Sequence, residues 1–446
     1  MSGRAILTIL NGGRMSRFWL IGLGNAAVGL GLNHSFIEAD EILRGIQADP
    51  NAVAGEINKI LVRRRIGMVI SYAMNGVTLL PVDPDWPGGH RSFFEVRGIT
   101  QCNFWADHPQ WVADKHALRP EYQAPFRSGN QHHFLKSQAH AQEIGRVLGW
   151  PNCHAVGCGA DTKLLGPRPE VTQDYDLIAI YGNDQRLADW LLPFLEQDDP
   201  DPMAINNLVA QQVRQKLTAL WEKDAAPELR PILQAWSERA IELKLANPHI
   251  ALARHFGRLT DEFPMACWWL AAMYPTYFRA AEILYAFRSW QRHFYLAYLS
   301  KYFRVGLFGG KWSHVGPPED SAANGRWVEF AQIPQFVARG KVSLDIVAGW
   351  DEEGLTAKTF EIGACGTAMI HNECVGLEEA FEPGKEVESF RTPRQARDTV
   401  QRLLDEPDRR AQMAQACRAR ILQEHTWGNR LQQIIQKTGQ ELDAFR

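Results

Sequence analysis

The chain has 446 residues, 45% of them apolar and 22% charged, with a formal net charge of −3. That length suggests roughly two to four domains, and 48 basic against 51 acidic residues argue against a basic nucleic-acid binder and against a disordered acidic chain. Seven cysteines in no dense, even-numbered framework point to a reducing compartment.

The first apolar stretch, Phe18–Leu32, follows Arg14 and Arg17 as a leader peptide would, but Gly22, Gly24 and Asn25 interrupt it. It is also shorter than the ~18–20 residues that cross a bilayer, so it reads as a strand, Phe18–Leu23, and a glycine turn. Ser35–Gln47 reads as part of a helix and Ala54–Arg65 as another. Strands follow at Gly67–Tyr72 and Ile99–Ala106, then a helix at Ala139–Leu148 and a short strand near His154–Gly157. This alternation predicts a parallel α/β sheet, and the Pro- and Asp-rich Gly166–Asp176 reads as a linker.

Asp176–Tyr181 is a buried strand ending at Gly182. From Arg186 to Tyr302 strand signals give way to 3.6-residue stripes, such as Ile205–Trp221 and Leu229–Leu245, which predict a helical insertion of roughly 110 residues. Within it, Met265–Trp290 is aromatic but interrupted by Pro275, Arg279, Glu282 and Arg288, so an amphipathic buried or interfacial helix is expected, not a membrane span. Strand texture returns at Phe303–Phe308, Val342–Val347 and Ala368–His371, and the tail Thr392–Arg446 is charged and helical. The fold class expected is α/β in two halves, with the insertion in the second. A cytoplasmic location is expected, with peripheral membrane contact left open.

The informative stretch is Val342–Phe390. It reads as a buried strand, a polar loop holding Asp351, Glu352 and Glu353, a helix starting near Leu355, a turn and a second buried strand. A helix start with unpaired N–H groups and a positive dipole end suits a diphosphate. Glu361, about two turns further on, is placed to accept hydrogen bonds from both hydroxyls of a ribose, at the sheet edge where open α/β folds bind ligands.

Glu353, seven residues, then Glu361, followed by Ala364-Cys365-Gly366-Thr367, resembles the Glu-x7-Glu element of retaining GT-B glycosyltransferases. With Phe360-Glu361, Gly376–Val387 (GLEEAFEPGKEV) and the closing His425-Thr426-Trp427 with Arg430-Leu431, it looks most like the spore-maturation (CgeB-like) group. The resemblance is strong over about Phe303–Gln436. It is weaker upstream, at the aromatic-Asp-x-Pro loop Phe104–Pro109, at Gly157–Asp161, and at Asp176–Gly182 with Arg186. It implies two Rossmann-like domains facing a cleft: 1–170 on the acceptor side, 171–430 binding the nucleotide sugar with the insertion at about 186–302, and a helix within 431–446 crossing back to the first domain. It implies a nucleotide-sugar donor as co-substrate, no cofactor, no metal, no nucleic-acid partner, and an acceptor that the sequence does not name.

Residue by residue, the resemblance implies that Glu361 holds the donor ribose and Glu353 the hydroxyls of the transferred sugar. Gly354 and Leu355 would offer backbone N–H groups to the diphosphate. Lys358 stands where the family often has arginine, and a lysine gives a point charge and not a bidentate fork. Arg186 and Lys311, after strand and glycine turn, with Gly182 at the first of those turns, would neutralise the leaving diphosphate. Asp107 and His108 would orient the acceptor hydroxyl.

Blander readings compete at each position. Glu353 belongs to an acidic loop that solvent alone can explain, Arg186 and Lys311 are ordinary surface charges elsewhere, and Cys365 suits a small core residue. His132, His133, His140, Cys153, His154 and Cys158 lack the paired spacing of a zinc site. Trp268, Trp269, Tyr274, Tyr277, Tyr285 and Trp290 read as helix core before they read as a sugar platform or lipid contact. Gly22-x-Gly24-x-x-Ala27 fits a dinucleotide fingerprint, with Glu38 or Asp40 near the distance of a ribose-binding acid, which makes an NAD-dependent oxidoreductase the rival. A GT-B-like protein kept only for binding is the third reading.

Overall fold

The computed structural model describes residues 5–10, 14–73, 75, 92–111, 118–181, 186–310, 312, 314–315, 328–347, 349–440 and 442. They form two compact units, 1–161 with 425–446, and 162–424. Each is α/β with a parallel sheet, in keeping with the expected fold class.

The first sheet runs β2-β1-β3-β4-β5-β6, with β1 Ala5–Leu10, β2 His34–Glu38, β3 Ile66–Tyr72, β4 Thr100–Trp105, β5 Gln131–Leu135 and β6 Cys153–Ala155. Every pairing is parallel. The central strand β1, AILTIL, is buried along its whole length, as a strand covered on both faces must be. Leu7, Ile9 and Val69 pack with Ile42, Ile57 and Leu61 from the helices Ala39–Ala48 and Pro50–Arg64. Further along the sheet, on β4 and β5, three buried amides close a ring. Gln101 donates to Asn103 at 3.2 Å, Asn103 to Gln131 at 2.8 Å, and Gln131 back to Gln101 at 2.8 Å. Each amide thereby meets the partner that burial requires.

Three sequence expectations change here. Phe18–Leu23 is not a strand but lies within the helix Arg14–Gly29. Ser35–Glu38, read as the start of a helix, lies in the edge strand β2, half-buried and polar enough to hide its alternation. Strands β1 and β5 were not anticipated.

The helix Trp427–Thr438 belongs to the first unit. Thr426 and Asn429 form its capping box, Ala160 and Thr426 form a parallel bridge, and Ala160 N–H donates to His425 O at 2.9 Å. Buried Arg430 donates to Cys158 O at 2.8 Å and meets His425 Nδ1 at 2.7 Å; burial lowers its pKa to about 10. The Trp427 ring lies edge-on to Phe104 and against Gly22, where an added Cβ would come within 2.4 Å of the indole.

The second sheet runs β11-β10-β9-β7-β8, with β7 Tyr175–Ile180, β8 Val305–Phe308, β9 Gly340–Asp345, β10 Ala368–Asn372 and β11 Glu388–Phe390. Its pairings are also parallel. Between β7 and β8 the described residues carry helices and no strand, from Leu192–Leu195 to Gln291–Leu299. Among the described residues no helix is long and apolar enough to cross a membrane.

Gly22→Ala gains about 1 kcal/mol of helix propensity but overpacks Trp427, which costs about 1–3 kcal/mol. The net expectation is a loss on the order of 1 kcal/mol in urea unfolding; a variant more stable than wild type refutes the packing account. Burial lowers the imidazole pKa of His34, His132 and His255 to about 4 and of His133 to about 3. As pH falls, the unfolded chain takes up these protons first. Stability is therefore full above about pH 6.5 and declines progressively toward pH 4, and a urea midpoint that stays flat between pH 7 and 5 contradicts this.

Candidate functional site

β9 leaves the second sheet at its carboxyl edge and enters the acidic loop. Asp345, the last residue of β9, is buried and accepts from Thr359 Oγ1 at 2.6 Å. That bond ties the strand to the helix Ala357–Ala364, which starts two residues later than expected. Glu361 therefore lies about one turn into the helix, not two. It is fully buried, with Lys358 Nζ on Oε2 at 2.5 Å.

Asp351, Glu352 and Glu353 are buried, not solvated, and their cover is the helical insertion. Lys244, itself buried, donates to Glu352 Oε1 at 2.7 Å, and Leu252 N–H donates to Oε2 at 3.1 Å. Arg288 donates to the Glu352 carbonyl at 2.6 Å and to the Glu373 carbonyl at 3.1 Å. These bonds hold Glu352 in the left-handed region, φ +49, at a cost of roughly 1–2 kcal/mol for a residue with a Cβ. Arg254 Nε donates to Glu353 Oε2 at 2.7 Å, and Ala251 N–H reaches the same oxygen at 3.4 Å. The bond to Glu353 is the main reason the Arg254 pKa is raised. Glu353 Oε1 is buried with no hydrogen-bond partner among the described residues.

Two glycines permit this packing. A Cβ on Gly376 would sit 2.4 Å from the Glu353 carbonyl, which accepts the Gly376 N–H at 2.9 Å. A Cβ on Gly349 would meet Ser289 Oγ of the insertion at 2.1 Å. Beside them Arg292 donates to Ile346 O at 2.7 Å and lies over the Tyr181 ring, while the Tyr181 hydroxyl accepts from Ile346 N–H at 2.8 Å. Lys244, Arg254, Arg288 and Arg292 were not among the sequence candidates. For Arg288 and Arg292 the available signal was a cation within an almost wholly apolar and aromatic stretch; Lys244 and Arg254, in helices of mixed exposure, offered none.

The remaining candidates disperse. Gly354 N–H closes a turn onto Asp351 O at 2.8 Å, so it is engaged internally, and Leu355 is buried. Lys358 pairs with Glu361, as above. Arg186 is exposed and pairs with Asp189 at 3.2 Å. Gly182 and Lys311 lie outside the described residues. In the first unit Asp107 accepts from the Tyr72 hydroxyl at 2.9 Å. Buried His108 meets Glu143 at 3.1 Å through Nε2 and Gln110 N–H at 3.2 Å through Nδ1, which gives it structural partners on both nitrogens.

His132 and His154 stack and meet at 3.2 Å, and among the described residues no group of three His, Cys, Asp or Glu side chains is placed to hold a metal. The aromatic stripe divides: Tyr277, Tyr285 and Trp290 are core, while Trp268 is 70% exposed. Gly22, Gly24 and Ala27 lie inside one helix, so the strand-to-helix turn that a dinucleotide fingerprint needs is not there. Glu38 is bonded to Arg17 at 2.6 Å.

Residues 288–436 match the family model described as glycosyl transferase-like, a segment that contains Arg288, Glu353, Glu361 and Gly376. No curated protein sequence matches the chain significantly. Solved structures with a similar course include sucrose-phosphate synthase from Thermosynechococcus elongatus, at 12% identity and TM-score 0.46 over 97% of this chain and 98% of that one. A glycosyltransferase from Rickettsia africae ESF-5 gives 9% identity and TM-score 0.45 over 98% of each chain. HepE of Anabaena, solved with UDP and glucose, gives 10% identity and TM-score 0.45 over 98% of this chain and 99% of that one.

Lys244→Met removes the cation from a buried carboxylate, a change that costs about 3–5 kcal/mol. Combining it with Glu352→Gln should recover part of that loss in thermal or urea unfolding. A single variant as stable as wild type would show that the pair does not hold the insertion to the loop.

Proposed function

We propose that the chain transfers a sugar from a nucleotide-diphosphate sugar to an acceptor, as a Glu-x7-Glu enzyme of the CgeB-like type. The observation that carries this reading is a pair of buried carboxylates, Glu353 and Glu361, in the β9-to-β10 crossover of a segment that matches a glycosyl transferase-like family. A carboxylate is seldom fully buried unless it is paired or put to use. In this reading Glu361 grips the donor ribose and Glu353 the hydroxyls of the sugar being moved.

Breaking the glycosyl–phosphate bond places negative charge on the leaving diphosphate and positive charge on the sugar ring. Fixed cations and N–H dipoles stabilise the first of these. Arg292, lying over the ring at the end of β7 and against the end of β9, joins Lys358, Arg186 and Lys311 as a source of that charge, and the Leu355 N–H stands at the entry to the following helix. The reaction is proposed to need no metal and to retain anomeric configuration, the donor's own phosphate oxygen taking the acceptor proton. For orienting the acceptor hydroxyl, Asp107 is a better candidate than His108, whose nitrogens are already engaged.

A thermal-shift screen of UDP, GDP, TDP and NADH tests the reading, because a ligand that binds only the native state raises its melting temperature. One nucleoside diphosphate should stabilise the protein. Glu361→Ala should abolish that shift, while Glu353→Ala should reduce sugar transfer more than nucleotide binding. A shift with NADH alone would replace this reading with the oxidoreductase, and no shift with any of the four would favour a protein without catalytic activity.

A further inference from the structure

We infer that Arg254, on the insertion helix Leu252–Glu262, is a positioning residue for Glu353 that directs one carboxylate oxygen at the sugar of the donor. The inference rests on the reading of Glu353 given above and goes beyond it by bringing the insertion into the site.

The two oxygens of Glu353 are treated differently. Oε2 takes the Arg254 Nε–H at 2.7 Å and the Ala251 N–H at 3.4 Å, while Oε1 is buried and has no partner among the described residues. A carboxylate oxygen buried without a donor is costly, and native structures keep such an atom where a ligand or a water completes it. A sugar hydroxyl supplies the missing donor. Arg254 suits the work of aiming: a charge-assisted bond from a planar guanidinium fixes the carboxylate plane better than a lysine would. The guanidinium also donates through Nη2 to Glu379 at 3.2 Å, three residues after the Gly376 whose lack of a Cβ lets the Glu353 backbone approach. Arg254 is thus bonded to two carboxylates of the matched segment, and it fixes the direction in which Oε1 faces.

The test uses the full chain as wild type, Arg254→Gln, Arg254→Lys, Glu353→Gln and the double variant Arg254→Gln/Glu353→Gln. Calorimetric titration compares UDP, GDP and TDP with their glucose conjugates, and UDP also with its galactose and N-acetylglucosamine conjugates. The quantity read is the gain in affinity that the sugar adds over the bare diphosphate. Arg254→Gln should cut that gain by about tenfold while leaving affinity for the bare diphosphate within about twofold. Arg254→Lys should restore part of it, and Arg254→Gln should add little in the Glu353→Gln background, because both act through one carboxylate. A merely structural role would lower the melting temperature and weaken diphosphate and conjugate alike, and that result overturns the inference. So does an undiminished gain in Arg254→Gln, or a wild-type chain that binds a diphosphate but gains nothing from any of the sugars. If the wild type binds none of these ligands, the glycosyltransferase reading falls, and the inference falls with it.

Discussion

Two adjacent carboxylates, Glu352 and Glu353, are taken out of water together, and the second unit is arranged around that fact. Burying a single ionised carboxylate costs several kcal/mol unless a cation or several N–H groups compensate. Here the compensation comes from Lys244, Arg254 and the N–H groups of Ala251 and Leu252, about a hundred residues earlier in the chain. The insertion is therefore no appendage to the sheet. It supplies the counter-charge without which the acidic loop would have to turn outward, and Arg288 and Gly349 lock the same surfaces together through the backbone.

The first unit is held by neutral groups fitted closely. Its amide ring on β4 and β5 satisfies three side chains with one another, and its aromatic cluster of Trp105, Phe126, His133 and Trp150 fills the space beside it. Buried Arg430 is met by the Cys158 carbonyl and the His425 imidazole, and buried Glu143 by the His108 ring. Amides and rings are prominent in the first unit, and Lys and Arg partners to buried carboxylates in the second.

The apolar runs Gly67–Tyr72, Asp176–Tyr181 and Ala368–His371 are plain in the sequence, whereas β1, equally apolar and buried on both faces, was passed over. Where function or edge position put polar residues into a strand, it was hidden: β2 reads HSFIE because it borders solvent, and β5 reads QHHFL because one face feeds the amide ring and the aromatic cluster. Gly22 and Gly24 were read as a turn because a glycine's local meaning is a turn. Their actual reasons are tertiary, the approach of Trp427 to one and of Phe36 to the other. The spacing of Glu353 and Glu361 was legible because both lie in one crossover. The Lys244, Arg254 and Arg288 contacts were not, since their partners are set by how the insertion folds back and no local pattern encodes that.

The return of residues 425–446 to the first unit makes that unit discontinuous in time as well as in sequence. During synthesis the strands β1 to β6 emerge long before the helix that covers Gly22 and braces the loop at Cys158–Ala160. At roughly 5–20 residues per second, the intervening 162–424 delay that helix by something on the order of 10–50 s. For that interval the nascent first unit carries an open apolar seam at Gly22 and Phe104 in place of a finished surface. Its closure certifies that the whole of the second unit has already left the ribosome.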